Sequence, residues 1–383
     1  MDVRRERGST FHIDDQSVLD LRGPKNTVDP WKPYHILAEE EYSRHRKLET
    51  VLTVFLTNQE CPLRCTMCDL WKNTLDSTVP IGAIPAQIEL ALAQLPNAKK
   101  IKLYNSGNFF DPKAIPTADY DPILSRLDDF DTLIVENHPK FCGTRCIDFQ
   151  ARSGGRLEVA MGLETHEPAI LRKLNKKMDL DDFDAAVEKL LDAEITVRAF
   201  VLLQPPFMAP EAAVDSCLAT LEHAFSIGVD CCAVIPTRGG NGMMEKIKGS
   251  VGFEPPELFK VEAVADTAYR WNRGRVLVDL WDIESVSKCE SCCLARVARL
   301  QAIPMTRERT RLVPKRRWTI RLHRPTRPHR VIERHGGLRQ RLMPVLKPRF
   351  EHPFRRACGH NVSITYAFSE TARHYWNRTN TDR

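Results

Sequence analysis

The sequence predicts an α/β fold, either an incomplete β/α barrel or an open doubly wound sheet. Apolar, β-branched runs alternate with segments of helical period from residue 51 onward. Each run is followed by a helical segment, which implies right-handed crossovers and a parallel sheet. The chain has 383 residues, of which 42% are hydrophobic, enough for one domain of barrel size with an extension.

The individual elements follow from these runs. The predicted strands of the sheet are Val51–Thr57, Lys100–Tyr104, Thr132–Glu136, Leu157–Leu163, Ile195–Leu203 and Val229–Ile235. The predicted helices between them are Ala83–Leu95, Tyr120–Asp128, Phe141–Ser153, Leu180–Ala193 and Pro210–Ile227. A helix at Pro255–Trp271 and a short strand at Val276–Trp281 follow, and the polar start of the chain is predicted to hold a helix near Ile36–Lys47.

Charge divides the chain into an acidic body and a basic end. We predict a lead-in over residues 1–48, a core domain over 49–300 and an irregular Arg/Pro-rich extension over 301–383. Residues 306–356 carry 17 Lys/Arg against 3 Asp/Glu. Such a segment is able to bind tRNA phosphates without sequence specificity. The alternative is a divergent or frame-altered end that is disordered.

The chain shows no sign of a membrane segment. No stretch reaches the roughly 18 uncharged apolar residues of a spanning helix, and the start lacks the apolar run of a secretory signal. We therefore expect a cytoplasmic protein without membrane contact. In that reducing compartment the 12 cysteines are better explained as metal ligands, catalytic thiols or buried apolar residues than as a disulfide framework.

A cysteine loop follows the first predicted strand. The segment NQECPLRCTMCDLW places Cys61, Cys65 and Cys68 at spacings of four and three. Three thiolates can each ligate one iron of a cubane and leave the fourth iron open to a small chelating ligand. A structural zinc site would need a fourth Cys or His, but no His lies near and the next cysteine is Cys142. Unliganded thiols are the remaining alternative.

The motif CPLRCTMC resembles the CxxxCxxC signature of radical S-adenosylmethionine (SAM) enzymes, at that family's usual location. Met67 stands where the family often has an aromatic residue. The resemblance implies a partial (β/α)6 TIM-like barrel and a 4Fe–4S cluster on the three cysteines. It also implies SAM bound to the open iron, reductive cleavage of SAM to a 5′-deoxyadenosyl radical, and a one-electron donor of the flavodoxin or ferredoxin type.

Two further stretches extend the resemblance to SAM contacts. Asn105, Ser106 and Gly107 fill the position of the family's Gly-rich motif, which binds the SAM amino group. The segment GLETHEPAILRKLNKKM is similar to a family segment in which Glu164 would contact SAM, although an acid there also suits a helix N-terminus. Gln204, at the end of the fifth predicted strand, completes the predicted cofactor-binding set.

Between about residues 52 and 300 the sequence is most similar to the radical SAM subgroup of archaeosine biosynthesis in tRNA. The stretches that carry this resemblance are CTMCDLWKN, KLYNSGNFFDP, VENHPKFCG, GLETHEP, LLQPPF and IPTRGGNG. The subgroup is understood to split a lysine adduct on a 7-deazaguanine base and to leave an amidine.

A second metal site is predicted at Cys289 and Cys292, with Cys293 beside them. Cys142 and Cys146, or Cys358, would complete its ligand set; the alternative is a reduced pair or a local zinc site. Adjacent cysteines in the sixth predicted strand, Cys231 and Cys232, are expected to be buried core residues.

Two more polar residues follow predicted strands. His138 is interpreted either as a base, proton relay or substrate contact, or as a hydrogen-bonded loop histidine. Arg238 begins a Gly-rich turn that is either an anion clamp or a plain turn, and no Gly-Lys-Ser/Thr follows to make it a P-loop.

Three functional hypotheses remain open at this point. The leading one is a radical SAM enzyme acting on tRNA. The second is a non-catalytic iron–sulfur or zinc module that engages RNA through the basic extension. The third is a radical SAM enzyme with a substrate other than a nucleic acid.

Overall fold

The structure is a computed structural model, and it describes residues 13–287 and 290–302. The chain divides into two units, Met1–Val313 and Pro314–Arg383. The predictions for the basic segment and for Cys289 and Cys358 lie outside the described residues.

One eight-stranded sheet organises the first unit, and its strands are arranged in the order in which they occur along the chain. Its strands are β1 His35–Tyr42, β2 Leu48–Phe55, β3 Lys100–Tyr104, β4 Thr132–Glu136, β5 Arg156–Glu164, β6 Thr196–Leu203, β7 Cys231–Pro236 and β8 Arg275–Val278. The β1 strand is antiparallel to β2, and every later neighbour pair is parallel. A doubly wound sheet would reverse its strand order at a switch point. The sequential order therefore confirms the partial β/α barrel.

Helices connect the parallel strands and flank the sheet. They are α1 Asp15–Asp20, α2 Ala83–Leu92, α3 Tyr120–Arg126, α4 Thr144–Arg152, α5 Pro168–Lys173, α6 Leu180–Asp192, α7 Ala213–Ser226, α8 Met243–Val251, α9 Leu258–Trp271 and α10 Glu290–Ala302. The predicted core helices and strands lie within a few residues of these bounds, while α1, α5, α8 and α10 were not among the predicted helices. No helix in the described ranges is both long and apolar enough to cross a membrane.

The helix predicted near Ile36–Lys47 is wrong, because this segment forms β1. Glutamates in HILAEEEY favour a helix by intrinsic propensity. Tertiary pairing overrides that preference, since β1 pairs with β2 along its whole length, from His35 opposite Phe55 to Tyr42 opposite Leu48.

Side chains of successive strand residues point to opposite faces of the sheet. One set packs with the helices and forms the main hydrophobic core, which includes Leu52, Leu103, Val159 and Val201. The other set lines the inner, concave side of the barrel. Along the strand direction, the side chains on the inner side form successive layers. The candidate site lies beyond these layers, at the C-terminal ends of the parallel strands.

Near the N-terminal ends of the parallel strands lies a buried ionic level, which we call the lower charged layer: Glu41, Lys102, Glu158, Arg198 and Arg275. Arg198, only 2% exposed, has its Nε 2.6 Å from Glu158 Oε1 and its Nη2 3.0 Å from Glu41 Oε2. Lys102 pairs with Glu41, and Arg275 pairs with Glu158. Each buried charge thus has a partner of opposite sign, as burial in a low-dielectric interior demands.

Two residues farther along β3 and β6 lie Tyr104 and Phe200, which form an aromatic layer with Phe55 at the end of β2. The ring centroids of Phe55 and Tyr104 are 6.1 Å apart, and those of Tyr104 and Phe200 are 6.3 Å apart, both in edge-to-face arrangement. All three side chains are only half-buried. The aromatic layer therefore lies nearer the C-terminal ends of the strands than the lower charged layer does, and it is partly exposed.

Candidate functional site

The cysteine loop leaves the C-terminal end of β2. Cys61, Cys65 and Cys68 are half-buried free thiols. The Cys68 N–H donates to the Cys65 carbonyl at 3.2 Å, which forms a turn between these two cysteines. The Asn108 amide donates to Cys61 Sγ at 3.2 Å. The loop therefore presents three soft sulfur donors on one short segment.

Residues far away in sequence fix the backbone of this loop. Thr66 donates through its N–H to the Leu174 carbonyl and through Oγ1 to the Lys173 carbonyl, both at 2.9 Å. The Asn241 amide donates to the carbonyl oxygens of Thr66 at 2.8 Å and of Cys68 at 3.1 Å. The loop conformation therefore depends on the segments after α5 and after β7.

Burial disfavours the charged form of these thiols. It raises the pKa of Cys65 to about 11 and also raises the pKa values of Cys61 and Cys68. Ligation to iron would supply the positive charge that favours thiolates. Among residues 13–287 and 290–302 no three His, Cys, Asp or Glu side chains converge on a single-ion site. A cubane instead takes each thiolate on a different iron, and three loop thiols have the donor chemistry it requires.

The predicted SAM-binding loop at Asn105, Ser106 and Gly107 follows β3 and packs against the cysteine loop. A Cβ added to Gly107 would lie 3.4 Å from the Cys61 Cβ. Ser106 has a φ of 51°, in the left-handed region. Its Oγ is 2.9 Å from the Tyr34 hydroxyl. The structure therefore brings these three residues beside the cysteines.

Glu136, at the end of β4, holds the same loop in place through hydrogen bonds to its backbone. Its Oε2 accepts the N–H groups of Asn105 at 3.0 Å and of Ser106 at 3.1 Å. Burial raises the pKa of Glu136 from 4.5 to about 7, although these hydrogen bonds oppose the shift. Sequence reasoning did not assign this role; the available signal was an acid at the C-terminal end of a strand next to the predicted loop.

The Asn105 side chain is the polar group with the least satisfied hydrogen bonding in this region. It is 0% exposed, and neither its Nδ2 nor its Oδ1 has a hydrogen-bond partner. An unpaired buried amide is costly, so a bound group that offers both a donor and an acceptor would be stabilised here. This orphaned amide fits the predicted binding of SAM at this loop.

Glu164 lies at a bulge in β5 and has a φ of 65°. Its Oε1 is 2.7 Å from the Lys176 Nζ, and both side chains are buried. The helix α5 begins at Pro168 with Glu167 as its N-cap, so Glu164 is not an acid of the first helical turn. The ion pair with Lys176 is a feature that sequence reasoning missed.

Gln204 follows β6 with a φ of 59°. Its Nε2 donates to the Glu254 carbonyl at 2.6 Å, and its Oε1 accepts from the Lys260 Nζ at 2.5 Å. Protein partners thus hold its amide in place, whereas the Asn105 amide has none.

His138 and Arg238 are both engaged within the fold. His138 Nδ1 accepts the Lys140 N–H at 3.2 Å, so its Nε2 carries the proton and donates to the Lys176 carbonyl at 3.0 Å. Burial lowers the pKa of His138 to about 3, which keeps the ring neutral. Arg238 pairs with Asp279 at 2.8 Å. These contacts favour the hydrogen-bonded histidine and the plain turn over the catalytic and anion-clamp interpretations.

The other described cysteines lie in elements outside the cysteine loop. Cys231 and Cys232 are fully buried in β7, which confirms that they are core residues. Cys142 and Cys146 are also buried, and Cys142 Sγ lies 3.3 Å from Met161 Sδ. Cys289 falls outside the described residues, so the second metal site stays a prediction.

Known proteins with similar sequences were found for this chain. No family model matches the chain. The uncharacterized protein MJ0550 of Methanocaldococcus jannaschii is 21% identical over 62% of this chain and 69% of its own length. Archaeosine synthase subunit beta of Methanosarcina acetivorans is 23% identical over 51% of this chain. The matched region spans 59% of that subunit.

Among solved structures, a radical SAM methyltransferase from Sphaerobacter thermophilus is similar with a TM-score of 0.44 and 14% identity, over 67% of this chain and 80% of that one. The match to archaeosine synthase subunit beta confirms the resemblance, predicted from the sequence motifs, to the archaeosine-biosynthesis subgroup of radical SAM proteins.

Proposed function

We propose that this protein is a radical SAM enzyme with a 4Fe–4S cluster on Cys61, Cys65 and Cys68, and that its substrate is a 7-deazaguanine base of tRNA. One observation carries the proposal. Three free thiols share one loop at the C-terminal end of the parallel strands, where barrel enzymes place their chemistry.

When bound, the cluster would supply an electron that cleaves SAM and yields a radical able to abstract hydrogen from the substrate. The chain's own residues hold and orient the reactants. The Asn105–Gly107 loop, fixed by the Glu136 carboxylate, would bind the amino acid end of SAM. Glu164, held by Lys176, lies at the end of the neighbouring strand β5 as a second polar contact.

The aromatic layer supports a planar substrate. Phe55, Tyr104 and Phe200 are partly exposed aromatic residues close to the strand ends, and unstacked bases bind proteins by stacking on aromatic rings. A base in a folded tRNA would have to be turned out of its stack to reach this layer. The name of the relative from Methanosarcina acetivorans supports archaeosine chemistry as the context.

The first experiment tests the cluster and SAM cleavage. Anaerobically reconstituted full-length protein is incubated with SAM and dithionite, and 5′-deoxyadenosine is quantified by liquid chromatography. We expect the wild type to form it, the triple variant Cys61→Ala/Cys65→Ala/Cys68→Ala to fall to background, and the core variant Cys217→Ala to stay close to wild type. A wild type that binds zinc and forms no 5′-deoxyadenosine would favour the non-catalytic module and contradict the proposal.

The second experiment tests the substrate. The reconstituted enzyme receives tRNA that carries a lysine adduct on 7-deazaguanine, the same tRNA without the adduct, or the free modified nucleoside. We expect conversion of the adduct in tRNA, with a reduced flavodoxin or ferredoxin able to replace dithionite. SAM cleavage with no conversion of any of these would favour the alternative of a substrate outside nucleic acids.

A further inference from the structure

Lys176 places a buried ammonium group behind the cysteine loop. Only 9% of its side chain is exposed, and its Nζ lies 2.7 Å from Glu164 Oε1. A lysine so deeply buried is rare unless it is paired, because desolvation disfavours its charge. The pair therefore keeps a positive and a negative charge together in a low-dielectric site.

The backbone on both sides of Lys176 has an unusual conformation and contacts the cysteine loop. Asn175 and Lys177 on either side have φ values of 53° and 59°, in the left-handed region that non-glycine residues rarely adopt. The Asn175 amide donates to the Arg64 carbonyl of the cysteine loop at 2.7 Å. Together with the two Thr66 bonds described above, this contact docks the segment after α5 onto the cysteine loop.

Gly162 leaves space for the Glu164–Lys176 pair, because glycine has no side chain. A Cβ on Gly162 would lie 2.1 Å from Glu164 Oε1 and 2.4 Å from Lys176 Nζ. Only glycine at this position lets both charged groups lie against β5. From the other side, His138 holds the Lys176 carbonyl at 3.0 Å.

The ammonium acts electrostatically on the cysteines, because its segment is docked on their loop. Asn175 and Leu174 bond to Arg64 and Thr66, the two residues that flank Cys65. Lys176 interacts electrostatically with Cys65 and Cys68. Charges in a buried, low-dielectric site interact far more strongly than surface charges and are screened little by salt.

We propose that Lys176 and Glu164 form a charge pair that sets the reduction potential of the cluster held by Cys61, Cys65 and Cys68. Uptake of one electron from an external donor adds one negative charge to the cluster. The nearby ammonium stabilises that charge, and the carboxylate opposes it. This inference rests on the proposed function, since it requires a cluster at these cysteines.

The test is a redox titration of the anaerobically reconstituted full-length protein without SAM, monitored by electron paramagnetic resonance. For Lys176→Met we expect about a tenfold lower equilibrium constant for reduction, which corresponds to a midpoint about 59 mV more negative for one electron. Glu164→Gln should move the midpoint in the opposite direction. Lys176→Arg keeps the charge and should stay near wild type.

Lys177→Met is the matched control. This neighbouring lysine is 41% exposed and pairs at 3.2 Å with Asp15, so water screens its charge and its loss should leave the midpoint unchanged.

We expect the midpoint potential to shift in opposite directions in Lys176→Met and Glu164→Gln. A loss of packing alone would not produce shifts of opposite sign. Unchanged midpoints, or shifts of both in one direction, overturn the inference while the cluster and the proposed function stand. Should Lys176→Met fail to hold iron, Lys176→Arg and Glu164→Gln decide by the same criteria. A wild type without iron overturns both proposals, and its iron content reveals this before any titration.

Discussion

The two ends of the barrel's inner side differ in how completely their polar groups are paired. In the lower charged layer, Arg198 is shared between Glu41 and Glu158, so its charge is balanced on both sides. At the C-terminal end, the Asn105 side-chain amide has no hydrogen-bond partner, and the half-buried Glu136 carboxylate accepts the backbone N–H groups of Asn105 and Ser106.

Left-handed backbone also occurs among the candidate site residues. Ser106, Glu164 and Gln204, which each lie at or directly after a strand end, all have positive φ values. Strained backbone and incompletely satisfied polar groups are retained where binding or catalysis uses them. The comparison teaches that paired charges at one end stabilise the sheet, whereas the other end leaves a buried amide unpaired, as the proposed ligand site requires.

The largest expected effect breaks the lower charged layer. Arg198→Met leaves Glu41 and Glu158 without their shared partner, and removal of one member of a buried ion pair costs about 3–5 kcal/mol. Urea denaturation of the apo-protein measures this loss in the free energy of unfolding. As control, Arg44→Met removes a 62% exposed partner of Asp230 and should cost less than about 1 kcal/mol. Equal losses in the two variants would contradict a stabilising role specific to the buried layer.

An effect of intermediate size is expected from the titration of Glu136, which makes the free energy of unfolding depend on pH. Its pKa rises from 4.5 to about 7 on folding, so the folded state binds the proton more tightly than the unfolded state. Its contribution to stability is therefore present below pH 4.5 and is lost as the pH rises through 7. Relative to Glu136→Gln, which does not titrate, the wild type should lose about 3 kcal/mol of unfolding free energy across this window.

Denaturant titrations of both proteins at several pH values measure that difference, and the subtraction removes the titration of other groups. Parallel stability curves for the two proteins between pH 4 and 8 would show that burial does not raise the Glu136 pKa.

The smallest expected effect on stability is at Gly162. Gly162→Ala forces the ends of two flexible side chains, Glu164 and Lys176, to move, which should cost about 1 kcal/mol. The yield of 5′-deoxyadenosine should nevertheless fall about tenfold, because the pair leaves its place behind the cysteine loop. Gly249→Ala in α8, where a Cβ would meet nothing within 4 Å, is the matched control. If both alanine variants keep wild-type yield, the position of the pair does not matter for activity.

Sequence patterns predicted the parallel strands well because apolar, β-branched runs such as KIKLY and TLIVE satisfy both local propensity and burial. They failed for β1, where Glu39 and Glu41 look like residues of an exposed helix. In the structure, Glu39 Oε1 is 2.6 Å from the Lys102 Nζ of another strand. That partner is distant in sequence, so no local window contains the reason.

The candidate site shows the same division. The rule that strand ends carry polar site residues selected Asn105, Ser106 and Glu164 as candidates, because it needs only the strand positions. Lys176 escaped notice because two adjacent lysines resemble a solvated surface. Its burial depends on the glycine at position 162 and on left-handed residues around it, and these are non-local features of the folded chain.

One consequence follows from the way in which the sheet ends. In the described part of the chain no backbone pairing joins the edge strands β1 and β8. Side chains span this seam instead: Arg46 donates to Asn272 Oδ1 at 2.6 Å, and the rings of His35 and Trp281 are 6.3 Å apart.

Exposed contacts of this kind contribute at most about 1 kcal/mol each. The seam therefore depends on single side-chain contacts, whereas neighbouring strands elsewhere in the sheet share continuous backbone ladders. Nearer the N-terminal ends of the parallel strands, the buried Arg198 adds a further tie to β1 through Glu41.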